Sequence, residues 1–460
     1  MITAGFDLAV RGGTVVTPGG ISRADIGITG GAIAGIGDGL RGARELDAAG
    51  CVVLPGAVDV HVHLATTPAA GFVDDVATGT RAAAAGGVTT VGHMAFPEVE
   101  GETMAAATAR DVAACAADAA VDFLVHPSFV LPDEHTLDDI AELARAGHRS
   151  LKTVTLFLDR GGAEVVAAIE LAGRSGMLTM VHCEDGPLID HATHALIDSG
   201  RGAVQHYPDS RPEITELAAV QRVIAICELT GAPVYLVHLS GARALRAARD
   251  ARASGLPVYT ETRPVYLELT ADVHGAADGA KYAGMPPLRT RHDVDALWRG
   301  LADGSIDTVA SDHAPWSLSD KIDPTLDVAG VRKGIAELET MVPLLYADGV
   351  AAGRIDLARL AAVTSTNPAR LFGLYPRKGA ISVGSDADLV VLDPLRRRVI
   401  DGRRMISRAG YSVYDGRDTA GWPRYVIGRG EILVDDGEVL ARPGRGRVLT
   451  QGPVLEPIAL

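Results

Sequence analysis

The chain has 460 residues, 47% of them apolar and 22% charged, which is ample for a large core and excludes a disordered, collagen-like or disulfide-scaffold protein. Its 43 basic and 58 acidic side chains give a net charge of −15, which argues against nucleic acid or an anionic membrane as a partner. Four cysteines without paired spacing (Cys51, Cys115, Cys183, Cys227), an N-terminus MITAGFDLAV without a leader layout and no long uncharged apolar run lead to the expectation of a cytoplasmic protein.

The first 50 residues read as short strands, FDLAV, TVVTP, DIGITG and AIAGIG, punctuated by glycine pairs and Pro18. From residue 52 the texture changes. Eight apolar runs follow, at 52–64, 88–94, 122–130, 150–157, 178–184, 234–240, 257–264 and 307–315. Between them lie Ala/Leu-rich segments such as 101–119, 213–231 and 241–255, charged on their remaining positions and mostly ending in glycine, as helices do. This alternation predicts an α/β protein, a (β/α)8 TIM-like barrel. No G-x-G-x-x-G follows the first strand, which disfavours an open doubly wound sheet. After the barrel the strand-and-turn texture returns in DLVVLDP and YVIGRGEILVDDGEVL. The expected division is a small β-sandwich built from both chain ends, 1–52 and 374–445, a barrel at 53–373 and a C-terminal tail at 446–460.

Polar residues at the C-terminal ends of barrel strands face the mouth where such barrels do their chemistry. His61 and His63, two apart on the first strand, project to one side. Lys152 lies on the fourth strand, His182 ends the fifth, His238 the sixth and Asp312 the eighth. Four histidines and an aspartate converging on one mouth suit zinc or a similar divalent ion. Other histidines read as structural. His191 and His194 sit on a solvated face, His93 and His126 end strands two and three, and His313 should face away from Asp312. Cys183 reads as a small core residue.

PGAVDVHVHL, SLKTVTLF, MVHCED, YLVHLS, MPPLR, ASDHAPW and VTSTNPARLFGLYPRKGAISVGSDADLVVLDP together resemble the amidohydrolase superfamily. Within it they are most similar to the cyclic-amide hydrolases, namely hydantoinases, dihydropyrimidinases, allantoinases and dihydroorotases. The resemblance implies two divalent ions, zinc or manganese, with His61, His63 and Asp312 on one and His182 and His238 on the other. Lys152, N6-carboxylated, would bridge them, since an ordinary lysine cation cannot ligate a metal. It further implies a metal-bridging hydroxide that attacks a ring amide, with Asp312 as general base. The implied substrate is a small cyclic amide or ureide, a hydantoin or dihydropyrimidine, and relatives are usually homotetramers. An allantoinase or dihydroorotase activity is the alternative, and a non-catalytic interaction protein on the same fold a more distant one.

Four departures from the resemblance bear on substrate. Phe157 stands where D-selective relatives carry an oxyanion-binding tyrosine, and Phe has no donor. Gly284 and Met285 occupy the substrate-binding position before PPLR, where a backbone contact survives the change. No arginine follows His63 to bind a carboxylate as in dihydroorotases, and Lys333 falls near an asparagine common in the relatives.

Overall fold

The computed structural model describes residues 5–457. The first four residues of the stretch read for a leader, and the last three of the 446–460 tail, lie outside it. Strands β1 (Phe6–Thr17), β2 (Gly20–Thr29), β3 (Ala32–Gly37), β4 (Gly42–Asp47) and β5 (Val52–Pro55) come from the N-terminal end. The barrel strands are β6 (Ala57–Val62), β7 (Val88–Ala95), β8 (Asp122–Pro127), β9 (Ser150–Val154), β10 (Leu178–His182), β11 (Val234–Leu236), β12 (Val258–Thr262) and β13 (Thr308–Val309). From the C-terminal end come β14 (Leu389–Val399), β15 (Asp418–Gly428), β16 (Glu431–Asp435) and β17 (Glu438–Val439).

β6 to β13 run parallel, as βαβ crossovers demand, in two hydrogen-bonded groups, β6-β7-β8 and β9 to β13. Two contacts just beyond the strands close the ring. Ser128 bridges to Lys152, with Phe129 N–H donating to Lys152 O at 3.0 Å, and Val62 bridges to His313, with His63 N–H donating to His313 O at 2.8 Å. Both closures lie at the strand ends that carry the candidate ligands. Apolar side chains of the ring, among them Val58, Leu124, Leu178, Met180, Tyr235 and Tyr259, pack on Phe372 and Leu371 and fill the opposite end. Helices lie between the strands, and Gly231 (φ 70°) and Gly304 (φ 83°) end two of them in the left-handed conformation that glycine adopts without strain.

The strands of both chain ends form one nine-stranded sheet, ordered β17-β16-β15-β14-β5-β1-β2-β3 with β4 beside β1. Ile26, Ile28, Val53, Leu389 and Ile427 share its apolar core. The sheet corrects one element. The run 52–64 is two strands, because β5 pairs with β1 and β14 while β6 enters the barrel. Gly56 makes the break, where a Cβ would lie 2.2 Å from Thr89 Oγ1. The tail returns to the barrel, with Leu449 N–H donating to Phe123 O at 2.8 Å.

Lys378, with a fully buried side chain, ties sheet to barrel. Its ammonium meets Asp122 at 2.6 Å, Asp388 at 2.6 Å and Asp386 at 2.9 Å, and Arg429 also pairs with Asp122 at 3.0 Å. This aspartate triad has the spacing of a metal site, but Lys378 and Arg429 already occupy it.

Candidate metal centre and substrate cavity

The six candidate ligands come together at one mouth. His61 Nε2 and His63 Nε2 lie 3.2 and 3.1 Å from Asp312 Oδ1. Beside them, His182 Nδ1 faces His238 Nε2 at 2.9 Å, and the His61 and His238 rings stack at 5.5 Å. The chain bends at two of these groups: His238 and Asp312 have φ of 42° and 46°, a left-handed conformation rare outside glycine and concentrated at functional sites. Lys152 projects into the same cavity, and its charge acts on His61 and His238 alike.

These residues fit a two-ion centre on several counts. Burial drives His61 and His238 well below the usual imidazole range and His63 down to about 4, so the rings keep the lone pairs that bind metals. Two of the rings, His61 and His182, have the outer nitrogen held by a carboxylate and the inner one turned to the site. Glu261 Oε1 holds His61 Nδ1 at 2.8 Å, and Glu184 Oε2 holds His182 Nε2 at 2.9 Å, the carboxylate–histidine arrangement that orients metal-binding imidazoles. His238 Nδ1 is buried without a hydrogen-bond partner among the described residues. Burial also lowers the Lys152 amine to about 8, against the pull of Glu261 and Asp312, so a neutral amine able to add CO2 is accessible near neutral pH.

Several buried residues that the strand-end reading missed hold this array. Glu261 also accepts from His238 N–H at 2.9 Å and from the Tyr235 hydroxyl at 2.9 Å, and burial raises its carboxyl to about 7. Asp59, raised to about 7 by burial, accepts from the N–H groups of His61 and Ser311. Arg263 NH1 donates to Asp312 Oδ2 at 2.8 Å, while its other edge pairs with Glu337 Oε2 at 2.8 Å. Tyr414, from the connection between β14 and β15, donates to Glu337 Oε1 at 2.7 Å. Burial opposes ionisation of Asp312, but Arg263, His61 and His63 outweigh it and hold the carboxyl well below its usual range. One signal was present in the sequence. Asp59-x-His61, His182-x-Glu184 and Glu261-x-Arg263 repeat polar residues with the period of one strand face.

The cavity above the array measures about 290 Å3. Phe157 lines it, with the Arg160 guanidinium 5.7 Å over its ring, and Met285 lines it too. Gly284 is not among the lining residues, and its carbonyl accepts from the Tyr207 hydroxyl at 2.8 Å. The other histidines singled out in the sequence have protein partners or solvent. His93 pairs with Asp111 at 3.1 Å, His126 with Ser150 Oγ at 2.7 Å and Val60 O at 2.9 Å, and His313 with Asp74 at 3.0 Å. His191 and His194 are exposed on a helix, and Cys183 lies in the core. No described helix is long and apolar enough to cross a membrane.

A sequence model of the amidohydrolase family matches residues 52–433. A D-hydantoinase of Ralstonia pickettii is 35% identical over 455 residues, covering 96% of this chain and 98% of the relative. A D-phenylhydantoinase of Escherichia coli O9:H4 (strain HS) is 36% identical, covering 98% and 99%. Among solved structures, a D-hydantoinase (dihydropyrimidinase) from Thermus sp. superposes with a TM-score of 0.92 at 33% identity, covering 97% of this chain and 99% of its own.

Proposed function

The chain belongs to the amidohydrolase family, and from that premise we propose that it opens the ring amide of a hydantoin or dihydropyrimidine by hydrolysis. The observation that carries this reading is the paired array, in which His61, His63 and Asp312 stand beside His182 and His238 with Lys152 in the same cavity. These six side chains would hold two divalent ions, zinc or manganese, with Lys152 as the carboxylated bridge. Bound there, the ions make water a nucleophile at neutral pH and polarise the amide carbonyl.

The chain's own residues do the rest. Arg263 engages Asp312 through Oδ2 and leaves Oδ1 on the histidine side as the proton acceptor. Asp312 takes the proton of the attacking water there. The hydroxyl adds to the carbonyl carbon, the C–N bond breaks, and the same carboxyl returns its proton to the departing ring nitrogen. The product is an open-chain acid. Phe72, Phe96, Leu156, Phe157 and Met285 wall the cavity, exclude water and receive the ring substituent. Phe157 offers the oxyanion no donor. By family likeness we further propose a homotetramer, which light scattering coupled to size exclusion would measure.

A substrate panel tests the activity. Protein loaded with zinc or manganese is given hydantoin, dihydrouracil, allantoin and dihydroorotate, and proton release is followed in a pH-stat. Turnover of hydantoin or dihydrouracil supports the proposal. Turnover of only allantoin or dihydroorotate would move the activity within the family, and none at full metal loading would refute it.

A further inference from the structure

We infer that Lys333 makes this site select ring substrates whose substituent ends in an anion, above all a carboxylate. The inference rests on reading the cavity as that of a cyclic-amide hydrolase, and adds the chemical class of the substituent.

Apart from the six candidate ligands, every side chain that lines the cavity is apolar, except Lys333. It is half-buried, and its ammonium donates to the Ala329 carbonyl at 2.8 Å, which leaves two of its three N–H donors for a ligand. Among the described residues no carboxylate pairs with it within 4.0 Å. Nearby Arg211 adds positive charge and Asp327 negative charge without touching the ammonium, and Glu184 already pairs with that arginine at 3.3 Å. The adjacent Arg332 also has no ion pair among the described residues and stacks over Trp316 at 5.2 Å. A cation held partly out of water with no carboxylate in contact is costly, and an anionic ligand that reaches it lowers that cost.

The segment carrying Lys333 is fixed as a platform would be. Lys321, fully buried, donates to Arg332 O at 2.7 Å and Gly334 O at 3.0 Å, and Trp316 Nε1 donates to Lys333 O at 2.9 Å. The carbonyls of three successive residues are therefore pinned, and only the Lys333 side chain remains to adapt. The same Lys321 donates to Ala283 O at 2.5 Å, which joins this segment to the one bearing Met285 on the cavity wall. Apolar walls would take the methylene part of a substituent, and Lys333 its charged end.

Two hydantoins of equal size test this, one with a carboxyethyl substituent and one with a carbamoylethyl substituent. Both kcat/KM and Kd by calorimetry are measured on metal-loaded wild type, Lys333→Met and Lys333→Arg. A charge-assisted hydrogen bond gives a preference for the carboxylate of roughly 10- to 100-fold in wild type. That preference should fall at least tenfold in Lys333→Met, survive in Lys333→Arg and weaken with added salt. No preference in wild type, or a smaller change in Lys333→Met, overturns the inference. If both compounds are opened without discrimination, the hydrolase reading stands and this one falls. If neither is opened yet the Lys333-dependent difference in Kd is seen, this one stands and the hydrolase reading falls.

Discussion

Replacing Arg263 by Met separates a positioning role from a merely structural one. The side chain has no exposed surface, and its 2.8 Å bond to Asp312 Oδ2 is the contact that catalysis would feel. A buried charge-assisted hydrogen bond contributes about 1.5–3 kcal/mol, and about 1.4 kcal/mol is a tenfold rate, so kcat/KM should fall about 10- to 150-fold. Loss of the guanidinium also lets burial raise the Asp312 carboxyl, so the acidic limb of the kcat/KM profile should move to higher pH. Removing one partner of a buried pair costs about 3–5 kcal/mol of stability. With about 2 cal/mol/K of unfolding entropy per residue over 460 residues, that lowers Tm by about 3–5 °C. Steady-state kinetics, elemental metal analysis and a thermal melt measure the three effects. Glu337→Gln is the control, because it leaves the Arg263–Asp312 bond in place and should lose less activity than Arg263→Met. Full metal loading with kcat/KM within threefold of wild type would refute the positioning argument.

Lys152→Ala should lose metal and activity together, with partial recovery in short carboxylic acids that mimic the carbamate; wild-type metal content in this variant would remove the bridging role. Asp312→Asn should lower kcat by about 100- to 10,000-fold, the worth of a general base, and a loss below tenfold would remove it from that role. Lys378→Met leaves Asp122, Asp386 and Asp388 without their shared cation and should lower Tm by about 3–5 °C; an unchanged melt would show that Arg429 alone suffices. His274 is buried, neither ring nitrogen has a hydrogen-bond partner among the described residues, and burial lowers its pKa from 6.5 to about 4. The unfolded chain therefore takes up this proton first, so stability is full above pH 6.5 and falls as pH drops towards 4, by at most about 1.4 kcal/mol per pH unit. Urea midpoints at pH 7.5 and 5 should separate less in His274→Asn than in wild type, and an equal separation would remove this histidine as a source of acid sensitivity.

The barrel was legible in the sequence because its signals are local. Strand and helix periods repeat along the chain, and glycines such as Gly231 and Gly304 mark helix ends. The same short-range logic set His61 and His63 on one side of their strand. It failed at Gly56, because β5 and β6 form one continuous buried run and only their different sheets tell them apart. The same period marks Glu184, Glu261 and Arg263 as residues of a polar strand face, but nothing local shows which distant group each one meets.

By itself, then, the sequence determined which residues form the alternating strands and helices and which polar groups stand at strand ends. Those facts follow from side-chain periodicity within a few residues. Only the tertiary structure decided what those groups meet. Tyr414, Glu337, Arg263 and Asp312 form one buried chain although the first and last lie 102 residues apart (414 − 312). Lys333 came to stand among the apolar walls of the cavity because Lys321 pins its segment there. A buried charge is stabilised or left wanting by whatever distant segments bring within about 3–4 Å of it, and only the packed chain sets that distance.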